Sequence, residues 1–443
     1  MICHGCEWTI CEVGDHMRGL YVRKSKYSMA YRMVLLLFFL YFFHRYAVEL
    51  GASSLTRYVL DFVNIAIYIY SLQKKYSLEK IDKALMACYG GILIIGTVSA
   101  ILNIWTWKSG IVYYLFDCRN LIRFLIFFQS CKVLVKPEEV DNILNWFLCF
   151  HILNCILVVY QYFTLEVPIF WMRGDNLNGF FGTATGGNIY INVLLISTAM
   201  IALYRWSNRR GSMGTMLFIQ LLNLVIATLI EIKMYYVEMV LICVFFAIPY
   251  MRRPSRKRFA WGMFIIFGGV VSFVVLIPIL YKIYPWMEGT MSLSYMVNAF
   301  STERGEGISR LSAVPDVIEK IFENDLYDSL FGIGLGTANI NGMRTEFAQK
   351  FYWTNYSWYS TAYMLIETGV VGLIIYIISF LMLFFNIKRD ALYASISKCM
   401  CLIAIILMIY NESLKTEAGY MIFFLIAIGF SGKREQEGEH GRR

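Results

Sequence analysis

What most constrains this chain is a succession of apolar runs, each long enough to cross a bilayer, separated by short polar tracts. A span needs about 20 apolar residues, somewhat fewer where the bilayer thins. Such runs lie at 29–46, 56–72, 82–103, 110–131, 139–163, 186–206, 214–230, 235–251, 259–281, 357–386, 391–410 and 415–430. They predict an all-α polytopic membrane protein of about twelve transmembrane helices. Hydrophobic residues make up 58% of the chain and charged ones 16%, a composition suited to lipid as solvent. The short alternating strands of a membrane barrel do not occur in the pattern.

Lys and Arg number 40 against 31 Asp and Glu, an excess of +9 that on a soluble chain would suggest nucleic acid. Here the basic residues gather between apolar runs, as Lys74/Lys75, Arg205/Arg209/Arg210 and the block Arg252, Arg253, Arg256, Lys257 and Arg258. That pattern reports topology, because Lys and Arg are retained in the cytoplasm. Both termini and the 252–258 block are therefore expected inside a cytoplasmic membrane, and the connections 164–185 and 282–356 outside. The expected organisation is a cytoplasmic tail over 1–28, helices one to nine over 29–281, and an extracytoplasmic loop over 282–356. Helices ten to twelve follow over 357–430, then a cytoplasmic tail over 431–443. Met17 is an alternative start. The 11 cysteines fall in helices or on the inner side, so no disulfide framework is expected. Cys3, His4, Cys6, Cys11 and His16 match no zinc spacing, and no metal site is expected.

A loop of about 75 residues is far beyond an ordinary connection and must fold. Ile308 to Phe331 reads as an amphipathic helix, with Leu311, Val314, Val317, Ile318, Ile321 and Phe322 at three-to-four spacing and Pro315 in its first turn. Such a helix is suited to lie along the membrane and roof a cavity. The glycine-rich stretch Phe331-Gly-Ile-Gly-Leu-Gly-Thr337 then lets backbone N–H groups approach an anion.

Outside the membrane, Arg173, Arg304 and Arg310 are candidate phosphate-binding groups, since guanidinium matches phosphate through paired donors. A headgroup anchor or a solvated helix face is the plain alternative. Glu231-Ile-Lys233 stands where two helices meet, and neither residue is needed for a turn there. A carboxylate and an ammonium at a cavity lip suit an acceptor hydroxyl and a phosphate. Inside the membrane, Asp61 is expected to pair with Arg119 or Arg123, lipid phosphate being the lesser alternative for Arg119. His44 and His151 read as packing residues. No P-loop, GxSxG or HExxH is present, so ATP-driven chemistry on the chain is excluded.

Three local features, in this order and topology, resemble the O-antigen and capsule polysaccharide polymerases (the Wzy family) and the related O-antigen ligases. They are Leu177-Asn-Gly-Phe-Phe-Gly-Thr-Ala-Thr-Gly-Gly-Asn188 behind an Arg-bearing loop, the acidic-x-Lys of Glu231 and Lys233, and Gly332-Ile-Gly-Leu-Gly336 followed by Glu367-Thr-Gly-Val-Val-Gly372. The resemblance implies a helical GT-C-like glycosyltransferase fold. It also implies a metal-independent polymerase, without cofactor, that joins undecaprenyl-diphosphate-linked oligosaccharide repeats on the outer face of the bacterial cytoplasmic membrane. Its partners would be that lipid-linked substrate, membrane lipid, a flippase and a chain-length regulator, and no nucleic acid. Arg173 and one or both of Arg304 and Arg310 would hold the diphosphate, with Lys233, Asn178, Gly332, Gly334, Gly336, Glu367 and Arg119 around the substrate. The ligases carry a His before the Glu-x-Gly motif where this chain has Trp358, Tyr359 and Ser360, which disfavours ligase and leaves the base open among Glu231, Glu303 and Glu306. A polysaccharide flippase or exporter is the rival class. It has little use for a large folded loop and is expected to show two similar halves, which are not seen.

Overall fold

A computed structural model describes residues 27–74, 76–108, 110–166, 174–184, 186–251, 282, 307–340 and 345–431. Among these, every regular element is helical. The long ones are α1 (Met29–Glu49), α2 (Thr56–Leu72), α3 (Lys80–Leu102), α4 (Ile111–Leu134), α5 (Pro137–Thr164), α6 (Asn188–Ser207), α7 (Met213–Leu229) and α8 (Lys233–Met251). Three short helices follow, α9 (Ala313–Lys320), α10 (Leu326–Phe331) and α11 (Glu346–Phe351), then α12 (Ser360–Asn386), α13 (Ala394–Tyr410) and α14 (Gly419–Ala427). Each expected span other than 259–281 thus has a helix within a few residues of it; that segment lies outside the described residues. Among the described residues five helices, α1, α3, α5, α6 and α12, are long and apolar enough to cross a membrane.

Helix ends follow the local sequence. Ser28 and Ser212 cap α1 and α7 by accepting from Tyr31 N and Thr215 N, and Pro137 opens α5 where its missing N–H costs nothing. The helices run up and down, so the ends of α1, α3, α5, α7 and α13 meet the starts of α2, α4, α6, α8, α12 and α14 at one end, here the loop end. α6 and α14 form the centre, and α12 packs on α3 and α13. Outward faces carry exposed Phe39, Phe62, Ile94, Ile156, Phe218 and Ile378. A girdle of this kind fits hydrocarbon, which suits a membrane protein.

Several charges inside the bundle are matched across helices. Arg119 Nε donates to Asp61 at 2.8 Å, Tyr420 Oη gives Asp61 a second bond at 3.0 Å, and buried Arg123 reaches Glu417 at 3.4 Å. At the opposite end Lys132 binds Asp82 at 2.7 Å and Glu79 at 3.2 Å. The expected Asp61–arginine pair is therefore present. Arg119, proposed for substrate contact, is occupied by Asp61 and Asn120. His44 binds the Tyr41 carbonyl at 3.0 Å, and His151 lies against Cys155.

The long loop departs from the single amphipathic helix expected. It forms α9 and α10, with Glu323 (φ 53°) and Asn324 (φ 63°) in left-handed conformation between them, and Asp325 caps the second helix. Pro315 does sit in the first turn of α9. Both helices dock on α12.

Candidate functional site at the loop end

The glycine-rich turn explains how the loop is held. α12 breaks at Gly369 (φ 66°), where an added Cβ would stand 2.2 Å from the Leu330 carbonyl oxygen. Carbonyls beside that break, Ile366 and Glu367, accept from Ile333 N at 2.8 Å and Gly334 N at 3.1 Å. Leu335 N donates to Gly96 O at 3.0 Å, and Gly336 N to Glu367 Oε1 at 2.9 Å. Gly334 (φ 106°) would place a Cβ 2.2 Å from Ala100 Cα, so only glycine permits this approach. The anion-binding expectation for Gly332, Gly334 and Gly336 is corrected: their neighbouring N–H groups are spent on protein, and Glu367 is buried as a clasp for the loop. Gly96, invisible as a signal in an apolar helix, completes that joint.

Asn178 also faces inward. It is fully buried, and its Nδ2 donates to the carbonyls of Asp175 at 2.9 Å and Ala184 at 3.2 Å, stapling its own loop. Glu231 takes the left-handed position (φ 62°) that ends α7, with its N–H on Thr228 O at 3.1 Å, so contrary to expectation it is part of the turn. Lys233 opens α8, and Gly174 packs so close to Glu231 that a Cβ would meet its Cγ at 2.8 Å.

The structure does bring three distant segments together at this end. Asp175 accepts from Asn188 Nδ2 at 3.1 Å and lies in the field of Lys233. Burial pushes the Asp175 carboxyl above its usual range, against those two influences. Arg310 Nε donates to Tyr410 O at 3.3 Å, its guanidinium 4.7 Å from the Tyr410 ring centre and 5.5 Å from that of Tyr359. Arg310 and Asp175 both act electrostatically on Tyr410. Arg173, Glu303 and Arg304, and Glu306 with them, lie outside the described residues.

Residues that sequence reasoning missed complete the mouth. Arg45, at the end of α1, binds Gly186 O at 3.3 Å and stacks 4.8 Å from the Tyr190 ring centre. The connection 411–418 supplies Glu412, Lys415 and Glu417, and Lys415 Nζ stands 3.1 Å from the ring centre of Tyr363. Beneath it Asp117 accepts from Tyr363 Oη at 2.9 Å and from Asn120 and Asn339 at 3.3 Å each. Asp117, Asn120, Tyr363, Glu367 and Lys415 line a cavity of about 30 Å³, room for about two waters.

No family model matches the chain, and no curated protein matches it. Its chemistry is therefore read from the mouth: planar cations backed by aromatic rings, the ammonium groups of Lys233 and Lys415, and carboxylates on rigid connections. Cations so placed suit a polyanionic group, and tyrosine faces suit sugar rings. No group of His, Cys, Asp and Glu among the described residues is arranged to hold a metal ion.

Proposed function

We propose that this protein is a polysaccharide polymerase of the O-antigen or capsule type. In this reading it joins undecaprenyl-diphosphate-linked oligosaccharide repeats on the outer face of a bacterial cytoplasmic membrane. The observation that carries the reading is the convergence at one end of Arg310, Lys233 with Asp175, and the clasped glycine turn, from segments that are far apart in sequence. A GT-C-like arrangement of about twelve spans, with both termini cytoplasmic, belongs to the same reading.

The chemistry asked of such a site is modest. The sugar–diphosphate bond already stores the energy, so the protein has to align an acceptor hydroxyl with the anomeric carbon and stabilise the departing diphosphate. Charge on that group grows as the bond breaks, and a guanidinium fixed on a carbonyl and two rings stabilises it without reorganising. Polymer formation by the purified protein from lipid-linked repeats, without nucleotide and in EDTA, is the expected result. Activity lost with chelator and restored by magnesium or manganese would overturn the metal-free mechanism. Export of finished glycan without any polymer formation would overturn the polymerase.

A further inference from the structure

Transfer to a hydroxyl needs a group to take its proton, and most carboxylates near the mouth are committed. Glu417 is held by Arg123 and Tyr190, Asp117 by three donors, Glu367 by Gly336 N, and Glu231 lies in a turn beneath Gly174. Glu412 differs. Among the described residues its half-buried carboxylate has no hydrogen bond and no ion pair.

Its backbone, by contrast, is fixed from every side. Arg310 donates to the carbonyl of Tyr410, and Ser360 donates to that of Asn411 through N at 3.0 Å and Oγ at 2.8 Å. Asn411 Oδ1 accepts from Ser413 N at 2.8 Å, and the Glu412 carbonyl accepts from Lys415 N at 2.9 Å and Thr416 N at 3.2 Å. From below, buried Arg123 donates to Lys415 O. A rigid backbone carrying one uncommitted carboxylate is the arrangement a proton acceptor requires. The charged groups that act on it are Lys415 and Glu417 of its own connection and Arg45 of α1.

Resting on the polymerase reading, we infer that Glu412 is the general base of the transfer, while Arg310, anchored two residues away, holds the donor's diphosphate. As the acceptor oxygen bonds to the anomeric carbon, its proton passes to a Glu412 carboxylate oxygen. The carbon–oxygen bond to diphosphate breaks, its electron pair leaves with the lipid diphosphate, and the added negative charge falls on Arg310. Glu412 then returns the proton to water, and no oxidant, nucleotide or metal enters the balance.

The test uses the full chain in nanodiscs and lipid-linked repeats extracted from cells lacking it. Initial polymerisation rate is measured from pH 5.5 to 8.5, with repeat binding measured separately. Glu412→Gln, which keeps shape and removes the base, is expected to slow polymerisation about 100-fold or more. Repeat binding should persist, and the rise of rate with pH seen in the unmodified protein should vanish. Formate should restore part of the rate of Glu412→Ala, a response that a purely structural role would not give. Wild-type rate and pH profile in Glu412→Gln would overturn the assignment, as would loss of binding in step with rate. If the unmodified protein forms no polymer, the polymerase reading fails in that arm alone, and the base assignment falls with it.

Discussion

At the scale of single residues, the informative contrast is between side chains that are used up and those that are not. Arg310 is fixed by one carbonyl and two rings, so the direction of its remaining donors is set by the fold. Arg310→Lys keeps the charge but loses the planar fork, and should lower polymer formation nearly as far as Arg310→Ala. Full polymer length in Arg310→Lys at normal protein level would reduce the residue to an anchor. Arg123 belongs to the opposite group, buried between Glu417, Asp61 and the Lys415 carbonyl. Arg123→Ala leaves buried carboxylates uncompensated and should cost about 3 kcal/mol or more of stability, read as a lower Tm in detergent. Glu238 presents the reverse case, fully buried with Asn192 Nδ2 at 3.3 Å its only partner and Oε2 unpaired among the described residues. Glu238→Gln removes the ionisable group at nearly constant shape and should hold or raise Tm. A fall would mean that the carboxylate is balanced by a charge in the intact protein. Of these residues, sequence alone singles out Arg310, because a guanidinium in the outer loop matches phosphate, and the Asp61 pair, because a charge within an apolar run demands a partner. It does not single out Arg45, Glu412 or Lys415, whose importance arises from three connections meeting in space.

Among the elements, helices were legible and joints were not. Lipid obliges each span to satisfy its own backbone, so apolar length alone locates α1 to α8 and α12 to α14 closely. Gly332, Gly334 and Gly336 announce a close backbone approach, but whether toward a ligand or another helix is a tertiary fact: here Ala100 and the broken turn at Gly369 fill that space. The amphipathic pattern after Ile308 likewise hid the left-handed pair at Glu323 and Asn324: Asn324 tolerates that conformation, but Glu323 gives no sign of it. Gly334→Ala tests the joint. Strain at a positive φ costs about 1–3 kcal/mol before the clash with Ala100 is counted. The expected result is protease cleavage within 307–340 at concentrations that spare the unmodified protein; equal resistance would show that the loop is held elsewhere.

For the whole molecule, the proposed orientation can be tested at its two ends. Lys74, Lys83, Lys136, Arg205, Arg210 and Arg389 stand at the end opposite the loops, which that reading places in the cytoplasm. In a cysteine-free background, Ala52→Cys at the loop end should react with an impermeant reagent on intact cells and Gln73→Cys should not. The converse would invert the orientation. One dimension of the bundle bears on how such a site would work. α14 and its terminal turn, Gly419–Phe430, extend about 18 Å, whereas the hydrocarbon layer measures about 30 Å. In the proposed orientation the connection carrying Glu412 and Lys415 would lie below the rim of the hydrocarbon layer, where irregular backbone survives only when enclosed by protein. A lipid-borne donor would not have to lift its head group clear of the bilayer to reach this well. In the proposed function, limited access of bulk water to the anomeric carbon there would let sugar-to-sugar transfer outrun wasteful hydrolysis of the carrier.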